Sequence, residues 1–395
     1  MPQVATRVDV TRAFGVIKEM ELLGPEWTDA REAGRVAYRE AMNLLMKSAR
    51  DEWLDQRRLS HGPDRRNGYY RRDLLTALGR IELQVPRTRT FSAQTIVSRF
   101  ARRERSVDRV ILSGFVLGLS TRKVGVVLQH LFGTVVSAAT VSRVARILDE
   151  SVASFHRRPL VNRYRALIFD GVVLARKTGG GARRLPVLVA MGITPQGKKE
   201  IIDFQLATSE SQAAWEGFLR GLYQRGLTGE AVEIVGSDGG GGLRAALEIV
   251  YPGIPVQRCW AHKTRNITDK VRAADRDHVK RHVQRIYNAP DLVTARRAAR
   301  AFIERWKRLY PRAVGCLSRD LEELLNYFRF KDPDWRRAIR TTNAIERRFV
   351  EVRRRTRPMG AFSDRTSIAR ILFAVFTYEN QKEGIPSLLL LTQRI

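Results

Sequence analysis

The chain has 395 residues, of which 71 are Lys or Arg and 41 are Asp or Glu, so its formal net charge is +30. Hydrophobic residues make up 44% of it, which argues against a disordered chain and suits two or three folded domains. Such a charge excess repels itself in a compact state, and nucleic acid is the natural partner that neutralises it. Two cysteines exclude a disulfide framework, and no apolar run is long enough to cross a membrane. We therefore expect a soluble intracellular protein with no membrane partner.

The first 100 residues combine a predicted helix with a short predicted β unit. Apolar residues recur at helical spacing over residues 28–59, after a cap at Thr28 and Asp29. The later segment GRIELQVPRTRTF alternates apolar and polar residues, as a half-buried strand does. Because arginines surround this strand, we expect a small β unit that contacts DNA.

Two further helices are predicted downstream of this β unit. Ser120 and Ser137 are candidate N-caps, and Gly133 is a candidate C-terminal stop before a short turn. This is the arrangement of a helix–turn–helix, whose second helix would present Arg143 and Arg146 to the major groove of DNA. Two ordinary packed helices would produce the same pattern, so the sequence leaves both interpretations open.

From about residue 160 the pattern changes from helical to strand-rich. Three apolar, β-branched runs are followed by a helix, a fourth strand ending in VGSD, and a helix opened by glycines. Three strands, a helix, a strand and a helix are the order of an RNase H-like α/β domain. The sequence therefore predicts an α/β RNase H-like catalytic core, preceded by a mostly helical DNA-binding region with a short β unit.

Three acids lie where such a core could use them. Asp170 interrupts an apolar strand, Asp238 ends the fourth predicted strand, and Glu346 lies in a late helix. Carboxylates that converge at strand ends can hold two divalent cations for phosphoryl transfer. Each acid also has an ordinary explanation. Asp170 and the following glycine could form a hairpin turn, Asp238 an Asx turn or a helix cap, and Glu346 a capping box with Asn343.

The spacing of these acids predicts a helical insertion. Asp170 and Asp238 are 68 residues apart, which accommodates two strands, a helix and another strand. Asp238 and Glu346 are 108 residues apart, far more than a loop spans, and the sequence between them is helical and charged. The predicted division is an N-terminal helical region at 1–60, a DNA-binding region at 61–160, the two parts of the core at 161–258 and 336–395, and the helical insertion at 259–335.

Four segments carry a more specific signal: LIFDGVVLARK, VGSDGGGGLRAAL, VQRCWAHKTRNI and RTTNAIERRFVEVRRRTRPMGAF. They resemble Mutator-type transposases of bacterial insertion sequences, which are DDE enzymes with an RNase H-like core. RNGYYRRDLLTALGRIELQVPR and GLSTRKV extend the resemblance, which spans most of residues 60–380. It implies that Asp170, Asp238 and Glu346 are the catalytic and metal-binding triad. The four glycines after Asp238 depart from the family pattern but keep the acid.

The resemblance also implies a mechanism and its partners. The three acids would hold two Mg²⁺ or Mn²⁺ ions, with Asp170 between them. Water would cleave a phosphodiester at the transposon end, and the freed 3′-OH would attack another strand without a covalent protein–DNA intermediate. The expected partner is double-stranded DNA, as terminal inverted repeats and as target. Because transposon ends must be paired, we also expect a homodimer or larger assembly, located in the bacterial cytoplasm at the nucleoid.

The segment 329–370 is strongly basic, with 13 basic and 5 acidic residues. A solvated basic face is the common explanation for a run of charged residues. A segment with so large an excess of positive charge repels itself, however, unless phosphate groups neutralise it. Arginines on or just past the helix of the third acid are therefore expected to hold the DNA backbone near the acids. These candidates are Arg347, Arg348, Arg353, Arg354, Arg355 and Arg357.

The segment RCWAHKTRN places Cys259 and His262 in the Cys-x-x-His signature of the family. With His278 and His282, the spacing also looks like a zinc finger. A structural zinc site usually has at least two thiolates, and this pattern has one, so we favour a pair that buttresses the active site. The neighbouring residues expected to contact DNA are Trp260, Lys263 and Arg265.

Three other functions compete with this interpretation. A catalytically silent DNA-binding regulator derived from a transposase would share the charge and the helix–turn–helix. A recombinase with a Ser or Tyr nucleophile would share the arginines, although no His/Arg/Tyr constellation has a convincing spacing. An RNA-cutting nuclease with the same core would not need the N-terminal DNA-binding region.

Overall fold

The computed structural model describes residues 25–60, 64–93, 102–134, 136–178, 181–359 and 365–385. The chain divides into two compact units, with the boundary between Arg146 and Ile147. In the described ranges, no helix is long and apolar enough to span a membrane. All three candidate acids belong to the second unit.

The first unit packs a long helix against a two-stranded hairpin. Its elements are α1 (Pro25–Ser60), β1 (Tyr69–Thr76), β2 (Gly79–Pro86), α2 (Arg105–Val116), α3 (Thr121–Phe132) and α4 (Ala138–Ala145). The two strands are antiparallel, and alternate residues of β2 are buried, as the alternating sequence predicts. Met46 of α1 and Leu83 of β2 meet in one apolar cluster, which holds the helix on the hairpin.

The ends of α3 and α4 follow the local sequence signals. Ser120 and Ser137 each accept a hydrogen bond from the backbone N–H three residues later. Gly133 ends α3 with a φ of 65°, a left-handed conformation that residues with a side chain rarely adopt. Arg143 on α4 and Arg146 just after it are both exposed. Both arginines are therefore accessible, while the helix–turn–helix and its contact with DNA stay predictions.

The second unit is built around a five-stranded sheet. Its first elements are α5 (Ile147–Arg157), β3 (Ala166–Thr178), β4 (Gly181–Ile193), β5 (Lys199–Leu206), α6 (Gln212–Gln224), β6 (Ile234–Ser237), α7 (Gly241–Val250) and β7 (Val256–Arg258). The strand order is β5–β4–β3–β6–β7. β3, β4 and β5 are antiparallel neighbours, whereas β6 is parallel to β3 and β7 is parallel to β6. This is a mixed α/β unit whose strands and helices follow the predicted order.

Helices fill most of the remaining chain. They are α8 (Trp260–Thr268), α9 (Arg276–Tyr287), α10 (Leu292–Trp306), α11 (Pro311–Ser318), α12 (Leu321–Leu325), α13 (Pro333–Ile339), α14 (Asn343–Met359) and α15 (Arg365–Lys382), with 3₁₀ turns at Ala273–Asp275 and Asn326–Arg329. Helices α8 to α13 thus occupy the long gap between Asp238 and Glu346. The bounds of a separate insertion domain remain a prediction.

Helices cover both faces of the sheet. On one face, α6 and α7 pack on strand residues that include Leu167 and Phe169. Ile168 and Asp170 alternate with these residues, so they point to the other face, where α14 packs on β3. On that face α15 also packs on β5, and Asn380 exchanges hydrogen bonds of 2.8 and 3.0 Å with the backbone of Ile201. Asp170 is therefore positioned between the sheet and the helix that carries the third acid.

Candidate active site

Two carboxylates lie side by side where β6 ends. The last paired residues of β3 and β6 are Phe169 and Ser237. Asp170 is the residue after Phe169, and Asp238 is the residue after Ser237. Because neighbouring strands are about 4.8 Å apart, the register of the parallel pair brings the two acids to adjacent positions.

Asp170 lies within a strand, not in a turn. It is paired with Val189 of β4, and antiparallel pairing continues as far as Thr178 and Gly181. The interpretation of Asp170 as part of a hairpin turn is therefore wrong. Its side chain is 2% exposed, and its Oδ2 has no hydrogen-bond partner. Leaving a buried carboxylate oxygen without a partner is costly, so this atom is available for a ligand.

The electrostatic environment of Asp170 includes the two other acids. Burial raises the pKa of Asp170 to about 7, because it disfavours the charged form. A hydrogen bond from Thr342 and the charge of His262 act in the opposite direction, whereas the negative charges of Asp238 and Glu346 raise the pKa further. Asp238 and Glu346 therefore stand close enough to repel the charge of Asp170.

Glycines shape the loop that carries Asp238. Its Oδ1 accepts a hydrogen bond of 2.8 Å from the N–H of Gly240, which is the Asx turn that the sequence allows. Gly239 has a φ of 85°, and a Cβ there would lie 2.0 Å from Arg258 Nε. A Cβ at Gly242 would lie 2.7 Å from the carbonyl oxygen of Glu210. Close packing thus explains two of the four glycines that depart from the family pattern.

Glu346 lies in the first turn of α14. Ile345, Phe349 and Val352 are buried at helical spacing and fix the face that α14 turns toward the sheet. Glu346 is next to that face, and its side chain is 41% exposed. It forms an ion pair of 3.3 Å with Arg353. The burial pattern of α14 thus directs the third acid toward the other two while leaving it open to solvent.

Cys259 extends the row of residues at the end of the strands. It follows Arg258, the partner of Ser237 in the β6–β7 pair, and its N–H donates to the Ser237 carbonyl at 2.8 Å. Its sulfur accepts a hydrogen bond of 3.3 Å from the Thr342 backbone N–H and lies 3.6 Å from Thr342 Oγ1. Because Thr342 immediately precedes α14, the thiol links β7 to the helix that carries Glu346.

His262 lies one helical turn after Cys259 and is hydrogen-bonded to it. This bond raises the pKa of His262 to about 9. Burial acts to raise the pKa of the Cys259 thiol, but hydrogen bonds with His262 and Thr342 outweigh it and lower that pKa. The positive charge of His262 also lowers the pKa of Asp170. These contacts link the pair to the acids, and its role as a buttress of an active site stays a prediction.

The residues of the apparent zinc finger do not meet. His278 and His282 lie on α9, where their rings pack on each other and on Trp306. Trp306 Nε1 donates to His282 Nδ1 at 3.0 Å. Over the part of the chain that the structure describes, no three His, Cys, Asp or Glu side chains are grouped closely enough to hold a metal ion. This is true of the residues of the apparent zinc finger. It is also true of the three acids, whose side chains lie near one another but not around a single point.

The chemistry of the acids nevertheless suits a hard divalent cation. Asp170, Asp238 and Glu346 offer only carboxylate oxygens, which Mg²⁺ and Mn²⁺ prefer. The Oδ2 of Asp170 is buried without a partner, and its repulsion from the other acids is what a cation would relieve. Mg²⁺ keeps several water ligands, so it does not need a closed cage of protein atoms. The chemistry of these three residues would therefore suit such an ion, and their role as its ligands stays a prediction.

Two residues expected to contact DNA are buried instead. The ammonium group of Lys263 contacts Asp320 Oδ2, and the indole Nε1 of Trp260 donates to the Leu324 carbonyl at 2.7 Å. The prediction of DNA contact is wrong for both, because partners more than 50 residues away along the chain occupy these side chains. Arg265, on the same helix, is exposed.

The arginines of α14 fall into two groups. Arg348 is 15% exposed and is paired with Glu379 and Glu383 at 3.0 and 2.6 Å. Arg355 is similarly buried and paired with Glu351 at 2.7 Å. These two side chains serve packing within the unit, so the expectation that they hold DNA is corrected. The remaining candidates are Arg353, which is paired with the third acid, and the exposed Arg347, Arg354 and Arg357.

Arg258 is a residue near the acids that sequence reasoning missed. Its guanidinium donates to the carbonyl of Gly239 and forms an ion pair of 2.7 Å with Asp320. It therefore ties the loop of Asp238 to the helices that follow β7. No local signal could have identified it, since an arginine at a strand end is common in so basic a chain.

Glu210 is a second residue that sequence reasoning missed. It immediately precedes Ser211, the N-cap of α6, and its carboxyl group lies against Gly171. Burial and then the charge of Asp238 raise the pKa of Glu210, while the charge of Arg184 opposes them. In the sequence it is one more polar loop residue, and only the fold brings it next to the aspartates.

Comparisons with known proteins give a consistent result. The family model described as "Transposase, Mutator family" matches residues 17–384. The chain is 32% identical over 386 residues to the transposase for insertion sequence element ISRM5 of Rhizobium meliloti (strain 1021), covering 96% of this chain and 94% of that protein. It is 30% identical over 362 residues to the transposase for IS905 of Lactococcus lactis subsp. lactis (strain IL1403), covering 90% and 91%.

Two further matches extend the comparison. The transposase for IS256 in transposon Tn4001 of Staphylococcus aureus is 31% identical over 340 residues, which are 84% of this chain and 86% of that protein. The Drosophila P element transposase in its strand transfer complex is 12% identical, with a TM-score of 0.31 over 75% of this chain and 86% of that chain. A likeness at this TM-score carries no argument about the fold.

Proposed function

The chain belongs to the Mutator family of transposases, and from this premise we propose that Asp170, Asp238 and Glu346 are the DDE triad with which it cleaves and joins DNA. The observation that carries the proposal is the partnerless, buried Oδ2 of Asp170, beside an aspartate at the equivalent position of the adjacent strand. An acid kept only for structure would be paired. An acid that serves phosphoryl transfer needs a carboxylate oxygen that is free to bind a cation.

We include an RNase H-like core in this proposal. It is supported by the order of strands and helices in the second unit and by the position of the acids at the point where β6 ends. The first unit would supply DNA recognition, and the helices between Asp238 and Glu346 would form an insertion. In this division, 161–258 and 336–395 make up the core.

The reaction has two steps. A water oxygen attacks the phosphorus at the transposon end, the bond from phosphorus to the 3′ oxygen breaks, and the leaving oxygen takes a proton to become a 3′-OH. The oxygen of that hydroxyl then attacks a phosphorus of the target strand and loses its proton. The bond from this phosphorus to the target's own 3′ oxygen breaks, and the leaving oxygen takes a proton to become a new 3′-OH. Two Mg²⁺ or Mn²⁺ ions bound at the site would activate the attacking oxygen and stabilise the charge on the leaving oxygen. The three carboxylates would hold these ions, and no protein side chain forms a covalent bond to DNA.

Exposed basic residues near the acids would hold the DNA backbone. An open groove runs between α8, α9, α13 and α14, and Lys280, Arg337 and Arg347 line it. Since phosphate contacts position DNA without reading its sequence, this groove would place the scissile strand near the acids. Further exposed candidates are Arg265, Arg354 and Arg357.

The first unit would bind the terminal inverted repeats, using Arg143 and Arg146 on the second helix of the helix–turn–helix. At least two copies of the chain would act together, because two transposon ends must be paired before they are joined. The protein would then act on DNA in the bacterial cytoplasm.

The test is a cleavage and binding assay on DNA that carries the terminal inverted repeats bordering the gene. Asp170→Ala, Asp238→Ala and Glu346→Ala should each abolish cleavage and strand transfer in Mg²⁺, while end binding is retained. Glu216→Ala is the control, because Glu216 is an acid of α6 paired with Arg220 alone, at 2.8 Å.

Three results would overturn the proposal. Cleavage by a purified triple variant would remove the acids from the chemistry. A trapped covalent protein–DNA adduct would point to a Ser or Tyr recombinase. A wild-type protein that binds the ends but cuts nothing in Mg²⁺ or Mn²⁺ would be the silent regulator.

A further inference from the structure

Glu210 is a fourth carboxylate beside the aspartates, and the reaction above does not use it. A Cβ built on Gly171 would lie 2.7 Å from Glu210 Cδ and 3.0 Å from each of its carboxylate oxygens. Gly171 lies within β3, in a backbone conformation that any residue adopts. The absence of a side chain at this position, next to Asp170, therefore leaves room for the carboxylate of Glu210.

The backbone of Glu210 is fixed by two packed elements. A Cβ at Gly242 would lie 2.7 Å from the Glu210 carbonyl oxygen and 2.8 Å from the Gln212 nitrogen, so the start of α7 packs directly on this segment. Ser211 caps α6 by accepting a hydrogen bond from the N–H of Ala214. The backbone at Glu210 is thereby held in place, while its side chain stays exposed at the open side of the site.

The acids approach the end of β6 from both faces of the sheet. Asp170 points to the face covered by α14, and the next residue along β3, Gly171, faces the α6 side. Glu210 therefore arrives from the face opposite Glu346, and Asp238 leaves β6 between the two. The buried Oδ2 of Asp170, with no hydrogen-bond partner, is an independent sign that these acids have a ligand.

We propose that Glu210 is a further carboxylate of the divalent-cation site and binds the cation together with Asp238, from the α6 side. The inference rests on the proposed function, because it presupposes that Asp170 and Asp238 hold a cation. Gly171 has a matching role: it keeps open the space that the carboxylate of Glu210 needs. Loss of Glu210 weakens the site, whereas loss of Asp170 removes it.

The experiment measures Mn²⁺ binding to the purified full-length protein without DNA, by calorimetry and by electron paramagnetic resonance. Glu210→Gln should lower the Mn²⁺ affinity about tenfold, the size of effect typical when a group that supports a metal site is lost. The Mg²⁺ concentration for half-maximal cleavage should rise by a similar factor. Glu216→Gln, on the same helix and paired with Arg220, is the matched control and should bind Mn²⁺ like the wild type.

Gly171→Ala provides a second test that leaves all the acids in place. The added Cβ must displace the carboxylate of Glu210, so this variant should lose Mn²⁺ affinity to a similar extent. In a Glu210→Ala background nothing remains to be displaced. The double variant should therefore bind Mn²⁺ no more weakly than Glu210→Ala alone, and this non-additivity is the signature of the contact.

The outcomes separate this inference from the proposed function. If Glu210→Gln binds Mn²⁺ like the wild type while Asp170→Asn does not bind it, the site exists and Glu210 is not part of it. If Asp170→Asn also binds Mn²⁺ like the wild type, the proposed cation site itself is wrong. If Gly171→Ala weakens binding equally with and without Glu210, the glycine acts through something other than this carboxylate, and the inference fails.

Discussion

Asp170 and Asp320 are carboxylates buried to a similar degree, but their surroundings differ in kind. Asp320 is 6% exposed and is paired with Lys263 and, at 2.7 Å, with Arg258. Asp170 is 2% exposed, has an oxygen without a partner, and has a pKa raised to about 7. Two further acids add to its negative environment, whereas a hydrogen bond from Thr342 and the charge of His262 act in the opposite direction.

The difference distinguishes a structural acid from a functional one. A buried carboxylate that is paired with two basic side chains stabilises the packing of the elements that carry them. Removing any one of these three charged groups leaves a buried charge without its partner. A buried carboxylate without a cation destabilises the metal-free protein, so its retention needs another reason. In this chain that reason is the proposed cation site of a transposase.

The largest effect on stability is expected from Asp320→Asn. The change leaves Lys263 buried and without its anionic partner, which should cost about 3–5 kcal/mol of unfolding free energy. Urea unfolding in the absence of divalent cations measures it. Asp334→Asn is the control, since Asp334 is exposed and its ion pair with Arg337 is 3.4 Å long. Equal midpoints for Asp320→Asn and the wild type would show that the buried pair does not hold these helices.

A second effect on stability, similar in size but dependent on pH, is expected at Asp170. Its ordinary pKa is 3.8, and in the folded protein it is about 7. Between these values the folded state binds a proton that the unfolded chain has released, so the metal-free protein loses stability as the pH rises from about 4 to about 7. The loss approaches roughly 4 kcal/mol and is complete above pH 7.

Asp170→Asn isolates this contribution. The variant lacks the titrating group, so its stability relative to the wild type should increase across the same pH range and stay constant above it. Urea unfolding at several pH values in EDTA provides the comparison. Parallel curves for the two proteins would contradict the raised pKa of Asp170.

The smallest effect separates two adjacent arginines of α14. Arg347 is exposed and lines the basic groove, whereas Arg348 is paired with Glu379 and Glu383. Arg347→Ala should weaken DNA binding and reduce the slope of log affinity against log salt by about 1, with unchanged stability. Arg348→Ala should lower stability by on the order of 2 kcal/mol and leave the salt slope unchanged. The reverse pattern would place the DNA on the other side of α14.

Local sequence signals predicted much of the fold. Ser120, Gly133 and Ser137 cap their helices as expected, because capping depends on a few neighbouring backbone groups. The alternation in GRIELQVP appears as β2, and the order of strands and helices in the second unit follows their apolar runs. The same runs predicted Asp170 on the first strand, Asp238 at the end of the fourth and Glu346 on a late helix. The structure shows that these two strands are adjacent and that the helix packs against the first of them.

Contacts between distant segments were not predictable in this way. Lys263 looked like a DNA contact because its partner Asp320 lies 57 residues away. The Asp-Gly pair at Asp170 looked like a turn because the true hairpin closes near Thr178. No sequence pattern marked Glu210, because what sets it apart is that its carboxylate lies over Gly171, where there is no side chain. Each of these depends on tertiary partners that no local pattern specifies.

The most direct test of the cation site replaces one ligand by a softer one and changes the metal. Asp170→Cys puts a thiolate at the buried position, and thiolates bind Mn²⁺ better than they bind Mg²⁺. We predict that this variant fails to cleave inverted-repeat DNA in Mg²⁺ and partly recovers in Mn²⁺, whereas Asp170→Ala is inactive in both. Cleavage by Asp170→Ala at the wild-type rate in Mg²⁺ would show that the buried aspartate does not hold the catalytic ion.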